Sequence, residues 1–128
     1  PQTYVPFRNG VMLSIAAAHG EVFGIHHIFI GAVWEDSSGY PDCREEFLIQ
    51  MEKGINLGMR PESAIKVHYP VIHMTKSEII KTGMGLNLPF EHTWSCYRDG
   101  GKPCLTCPSC TLRIRAFENI GLVDPLLK

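Results

Sequence analysis

Apolar residues recur at helical spacing at Val11, Met12, Ile15, Ala16, Ala18 and Val22, between Asn9 and Gly24. The spacing predicts an α-helix with Asn9 as its N-cap and the glycine at its end, and the alanine run predicts close packing on a sheet. Residues 25–33, Ile-His-His-Ile-Phe-Ile-Gly-Ala-Val, are mostly apolar without clear alternation. That pattern predicts a strand buried on both faces. A polar stretch runs from Trp34 to Arg44, of the kind found at the carboxyl edge of a parallel sheet, where open α/β sheets bind ligands. A second helix is predicted over 44–57, with Phe47, Leu48, Met51 and Ile55 inward and Gly58 near its C-cap. Residues 64–69 read as a second strand, closed by Pro70. Thr75-Lys-Ser-Glu78 is a capping box opening a helix that carries Ile79 and Ile80 and stops at Gly83. Residues 83–91 read as loop, and a last helix spans 111–119, with Leu112, Ala116 and Phe117 as its apolar stripe and Gly121 as its stop. Helices alternating with strands predict parallel βαβ units, hence an α/β fold with a partial parallel sheet flanked by helices.

Composition changes this picture little. A chain of 128 residues, 45% hydrophobic and 20% charged, can form one compact domain with a sizeable core. The formal net charge of −1 gives no global attraction to a polyanion, so nucleic acid is not an expected partner except through a local patch. No segment reads as a signal peptide or a membrane span, and the expected compartment is the cytoplasm. The start at Pro1, without an initiator methionine, suggests a piece of something longer or a processed chain.

The cysteines change the picture most. Cys96, Cys104, Cys107 and Cys110 fall within fifteen residues at spacing C-x7-C-x2-C-x2-C. A C-x2-C turn directs two thiolates at one ion, and the loop containing Gly100, Gly101 and Pro103 can return Cys96 as a fourth ligand. Structural zinc is the expectation. Four thiolates leave no open coordination position, so zinc-activated water is excluded. An iron–sulfur cluster takes the same donors at other spacings, and paired disulfides would leave Cys43 odd in a chain with no secretory signal.

Two further stretches are candidates for binding. Between Glu35 and Arg44, Tyr40 can stack on a planar polar ligand, carboxylates can take amino donors, and Arg44 can pair with a carboxylate or phosphate. A plain turn with Asp42 as N-cap also explains the loop. In Val5-Pro-Phe-Arg8-Asn9 an arginine and a cap residue meet a helix N-terminus suited to an anion, though a plain capped helix explains them as well. Cys43 reads as a buried thiol, and the six histidines read as scattered structural residues. Arg113 and Arg115 read either as a solvated face or, with Arg98 and Lys102, as a local basic patch.

Taken together, Val5-Pro-Phe-Arg8-Asn9, Tyr40-Pro-Asp-Cys-Arg-Glu-Glu-Phe47, Thr93-Trp-Ser-Cys96-Tyr97 and the three later cysteines closely resemble the 7-cyano-7-deazaguanine synthases of queuosine biosynthesis. That family belongs to the PP-loop ATP pyrophosphatases, and the likeness runs from about Thr3 to Asp124 in order and spacing. It implies an adenine nucleotide alpha-hydrolase-like fold, with residues 1–91 as the C-terminal part of the α/β domain and residues 92–128 as a zinc module with its closing helix. It implies an ATP-dependent ligase that converts 7-carboxy-7-deazaguanine and ammonia to the nitrile, with structural Zn2+ on the four cysteines and ATP with Mg2+ in the complete enzyme. Arg8, Asn9, Tyr40, Asp42 and Arg44 become candidate substrate-binding residues, and Asp36, Asp42 and Arg44 candidate catalytic ones. The family's Ser-Gly-Gly-x-Asp-Ser phosphate loop does not occur in these 128 residues. An N-terminal PP-loop segment or subunit is therefore an expected partner, the chain alone is expected to be inactive toward ATP, and a homodimer is implied. Two other readings stay open: another PP-loop modification enzyme, and a non-catalytic zinc-containing module for RNA or protein.

Overall fold

A computed structural model describes residues 2–36, 38–98 and 100–127. The chain divides after His73 into two compact units. This geometric division is distinct from the functional boundary expected between residues 91 and 92.

The first unit contains helix α1 (Arg8–Phe23), strand β1 (His27–Phe29), helix α2 (Glu45–Gly58) and strand β2 (Lys66–His68). The strands pair in parallel, with His27, Ile28 and Phe29 opposite Lys66, Val67 and His68. A parallel pair needs a crossover, and α2 lies in that connection. Its predicted inner residues pack as expected: Leu48 is fully buried, and Phe47, Met51 and Ile55 are partly buried around it. Val67, Ile65, Ile72, Leu13 and Ala17 complete this core. Burying a leucine of this kind contributes about 2 kcal/mol.

α2 also closes one edge of the sheet. Asn56 Nδ2 donates to the Ile65 carbonyl at 2.9 Å, and its Oδ1 accepts the Ile65 N–H at 2.8 Å. Glu52 Oε2 accepts the Val67 N–H at 2.8 Å. The outward backbone groups at the start of β2 are thus satisfied by side chains.

Three expectations fail in α1 and β1. The apolar positions predicted for packing in α1 are mostly exposed, while Gly10, Leu13, Ala17 and Gly20 are the buried ones. The helix is apolar on two faces, and its small-residue face makes the close packing: a Cβ on Gly20 would lie 3.1 Å from the Ile25 carbonyl oxygen. β1 is shorter than predicted and not buried on both faces, since His27 and Phe29 are exposed and only Ile28 turns inward. Asn9 is not the cap of α1. That position belongs to Phe7, held at φ 55°. The Phe7 ring lies where a Cβ on residue 10 would sit, so Gly10 admits this turn.

The second unit contains α3 (Lys76–Gly85) and α4 (Pro108–Glu118). The predicted capping box is present, with Thr75 Oγ1 accepting the Glu78 N–H and the Glu78 carboxylate accepting the Thr75 N–H. Ile80, Phe90, Ala116 and Phe117 form its core. Leu112 is exposed and does not continue the predicted stripe. Arg113 is no solvated residue. It forms a forked ion pair with buried Asp124, Nη2 to Oδ1 at 2.8 Å and Nε to Oδ2, and donates to the carbonyls of Phe90 and Thr93. The fold is thus helices with a parallel two-stranded sheet, followed by the cysteine-bearing segment.

A candidate metal centre and a polar cleft

The four cysteines converge. Their Sγ atoms all lie within 4.8 Å of one another, with Cys104 and Cys110 at 4.0 Å. A tetrahedral zinc with Zn–S bonds of about 2.3 Å sets sulfurs about 3.8 Å apart, so the donors stand within about 1 Å of the spacing that ion requires. Local structure makes the arrangement. Leu105 takes φ 61°, which turns the chain between Cys104 and Cys107. Cys107 is the N-cap of α4, its Sγ accepting the Cys110 N–H at 3.4 Å, and Pro108 follows in the first turn. Cys96 Sγ accepts the N–H groups of Arg98 and Cys104, each at 3.4 Å, and Cys104 Sγ accepts the Cys107 N–H at 3.3 Å.

These N–H···S bonds favour thiolate. The backbone N–H groups of Thr106 and Cys107 bring the Cys104 thiol down to about 6, and those of Tyr97 and Cys110 lower Cys107. Burial pushes Cys110 up to about 12, the cost that a bound cation would offset. Cys96, Cys107 and Cys110 are buried and Cys104 is partly so, so the donor set is enclosed as well as complete.

In the first unit the structure joins two stretches that the sequence offered separately. The Asp42 carboxylate, 7% exposed, accepts the Asn9 N–H at 2.7 Å. Asn9 Nδ2 reaches the Asp42 carbonyl at 3.3 Å and Cys43 Sγ at 3.4 Å. The anion at the start of α1 is therefore the protein's own: Asp42 takes a first-turn N–H of α1 and is not the N-cap of α2, which is Arg44. Cys43 is buried as expected, and burial raises its thiol above the usual range.

Beside this junction lies a cleft of about 430 Å³ lined by Tyr4, Phe7, Pro41, Asp42, Arg44, Glu46, Phe47 and Gln50. Asp42 and Arg44 are thus placed on it. Tyr40 is not part of that lining; its hydroxyl is bonded to Thr3 Oγ1 and its ring lies 6.1 Å from that of Tyr4. Arg8 is exposed, and the Asp36 carbonyl accepts the N–H groups of Gly39 and Tyr40. Phe7 meets Phe47 edge-on at 5.6 Å. Sequence reasoning missed Tyr4, Phe7, Glu46 and Gln50 as lining. Glu46 and Gln50 are four apart on α2, a spacing that could have placed them on one face. The histidines are less scattered than they read, since His27 Nδ1 lies 3.0 Å from His68 Nε2 across the strands.

A parallel βαβ unit bearing a polar cleft, with an enclosed four-thiolate centre in the segment that follows, defines an α/β protein with a metal-type site. Residues 1–121 match the family model described as queuosine biosynthesis protein QueC. The chain belongs to that family. It is 52% identical over 126 residues to the 7-cyano-7-deazaguanine synthase of a Nitratiruptor species, covering 98% of this chain and 57% of that protein. It is 54% identical to the synthase of Chlorobium phaeobacteroides, covering 98% of this chain and 56% of that protein. For the synthase of a Sulfurovum species the identity is 52%, over 98% and 57%. The chain spans a little over half the length of these curated relatives.

Proposed function

We propose that this chain is the C-terminal portion of an ATP-dependent ligase that makes 7-cyano-7-deazaguanine from 7-carboxy-7-deazaguanine and ammonia. The observation that carries the reading is the close likeness to synthases of that name along 98% of the chain. Converting a carboxylic acid to a nitrile removes two oxygens and brings in one nitrogen, with an amide between. ATP with Mg2+ supplies the activation that lets each oxygen leave. This chain's residues do not fit a phosphate cradle, for they include no Ser-Gly-Gly-x-Asp-Ser run, and we assign that task to the rest of the relatives' length.

What this chain's residues do is bind and orient. Phe7 and Phe47 offer apolar walls to a planar base, and Arg44 at the cleft offers a cation to a carboxylate. Asp42 and Asn9 act as positioning residues, tying the start of α1 to the loop that carries Arg44. Asp36, in the turn before Tyr40, is the remaining candidate for contact with an amino group or a metal ion. Cys96, Cys104, Cys107 and Cys110 would hold zinc, which when bound supplies a closed cross-link and no catalysis. We assign the assembly to the cytoplasm as a homodimer; among the described residues no helix is long and apolar enough to cross a membrane.

The test is calorimetric titration of the chain with 7-carboxy-7-deazaguanine, alongside RNA at two salt concentrations. Saturable binding of the base, weakened about tenfold or more by Arg44→Ala, is the expected result. Salt-dependent RNA binding with no affinity for the base would overturn the reading in favour of a nucleic-acid module.

A further inference from the structure

Cys107 and Cys110 are set by the first turn of α4, and Cys104 by the turn at Leu105. Cys96 lies outside both turns. The residues between it and Cys104 include Gly100, at φ 153°, and Gly101, and its own N–H···S bonds come from the two ends of that loop. Arg113 reaches the other side of Cys96, the segment that leads into it. It stands one turn after Cys110 on the same face of α4. Its Nη1 donates to the Thr93 carbonyl at 3.1 Å and to Thr93 Oγ1 at 2.8 Å, with Ser95 Oγ at 3.5 Å, and its Nη2 donates to the Phe90 carbonyl at 3.0 Å. The remaining N–H groups go to the Asp124 carboxylate, which also accepts the Leu126 N–H at 3.0 Å. Every N–H of the guanidinium thus faces an acceptor, an arrangement that lysine, a point charge without a fork, does not reproduce. Ser95, Cys96, Cys110, Arg113 and Asp124 share the wall of one cavity of about 10 Å³, about the least that holds a water. The clamp and two of the donor residues therefore border the same small space.

We propose that Arg113 is a positioning residue of the metal centre, setting Cys96 against the other three thiols, and that Asp124 holds the guanidinium in the orientation this requires. The proposal rests on the metal reading of the four cysteines. Arg113 touches no sulfur; it acts through the backbone of residues 90–95. Closing a four-thiolate site on an ion costs the entropy of ordering its last arm, and a clamp that orders this arm beforehand removes that cost from binding. The planar fork onto Asp124 fixes the direction of the donors, so the two residues work as one unit. Arg113 also packs on the core of its unit, its guanidinium carbon 5.7 Å from the centre of the Phe117 ring. A role confined to that core and the positioning role differ in one respect: only the second vanishes when residue 96 is no longer a ligand.

The test is a thermodynamic cycle on the chain loaded with cobalt in place of zinc, whose thiolate-to-metal charge-transfer absorption reports how many sulfurs hold the ion. Affinities for both metals are read by competition with a chelator. Arg113→Lys should weaken binding about tenfold to a hundredfold and move the cobalt absorption toward that of Cys96→Ala. In a Cys96→Ala chain the same substitution should change the affinity by less than about twofold. Asp124→Asn should follow Arg113→Lys in both backgrounds. Thr93→Val removes a single acceptor on an exposed residue, so it keeps the cycle readable where the larger changes unfold the chain. It should give a smaller loss in the first background and none in the second. Equal losses in the two backgrounds would make the clamp a part of the core alone and overturn the proposal. Unchanged affinity and absorption in Arg113→Lys would overturn it as well. Failure of the unsubstituted chain to bind either metal overturns the metal reading itself, and is told apart from the other outcomes before any variant is made.

Discussion

Cys107 combines two roles in one sulfur atom, capping α4 and completing the four-thiolate set. Serine can still cap a helix but cannot supply a thiolate. Cys107→Ser should therefore lower bound zinc from about one equivalent per chain to near zero while α4 keeps its start. An unchanged metal content by atomic emission would sink the four-cysteine assignment. Asp124 gives a prediction about pH. Burial alone would raise its carboxyl, but the Arg113 fork and the Leu126 N–H outweigh that and hold it below the ordinary value. A lowered carboxyl stabilises the fold fully above its unfolded value, about 3.9, and the contribution is lost as pH falls through the lower folded value. Urea midpoints should fall between pH 5 and 2 more steeply for the native chain than for Asp124→Asn. That variant should itself cost about 3 kcal/mol at pH 7, because it leaves a nearly buried guanidinium without its partner.

At the scale of elements, Leu48 and Gly83 mark the least tolerant points. Leu48→Ala should cost about 3 kcal/mol by denaturant titration, since α2 and β2 close around a fully buried side chain. At Gly83 an added Cβ would stand 2.6 Å from the Phe90 ring, so Gly83→Ala should cost roughly 1–3 kcal/mol through displacement of that ring. α2, the Thr75 capping box and the cysteine cluster were legible in the sequence because each depends on residues a few positions apart. α1 was legible as a helix but not in its packing, because periodicity cannot rank two apolar faces; the glycines at 10 and 20 were the overlooked sign. The strand over 25–33 was overestimated because an apolar run records how much surface can be buried, not whether the neighbours that bury it lie among the described residues. The Arg113 clamp and the Asn9–Asp42 junction join residues 11 and 33 positions apart, and no local pattern announces such pairs.

For the molecule as a whole, each of the two compact units has its own core. The first rests on the α2 and β2 core, the second on a small apolar cluster together with the cysteine centre. A bound metal contributes folding free energy to the segment that holds it, on the order of 10 kcal/mol in small zinc peptides. Chelation should lower the melting temperature of the second unit and leave the amides of Leu48 and Val67 protected. Hydrogen exchange before and after chelator checks this, and loss of protection at both residues would show the units to be energetically inseparable.

Among the described residues no strand pairs with the outer edge of β1, and this bears on handling the chain. An uncapped row of backbone donors and acceptors beside exposed Phe29 is a template for amyloid-like stacking, so turbidity during storage should rise steeply with concentration. Phe29→Lys places a charge where natural sheets carry one to deter such growth, and it should delay the onset of scattering, read as turbidity against time.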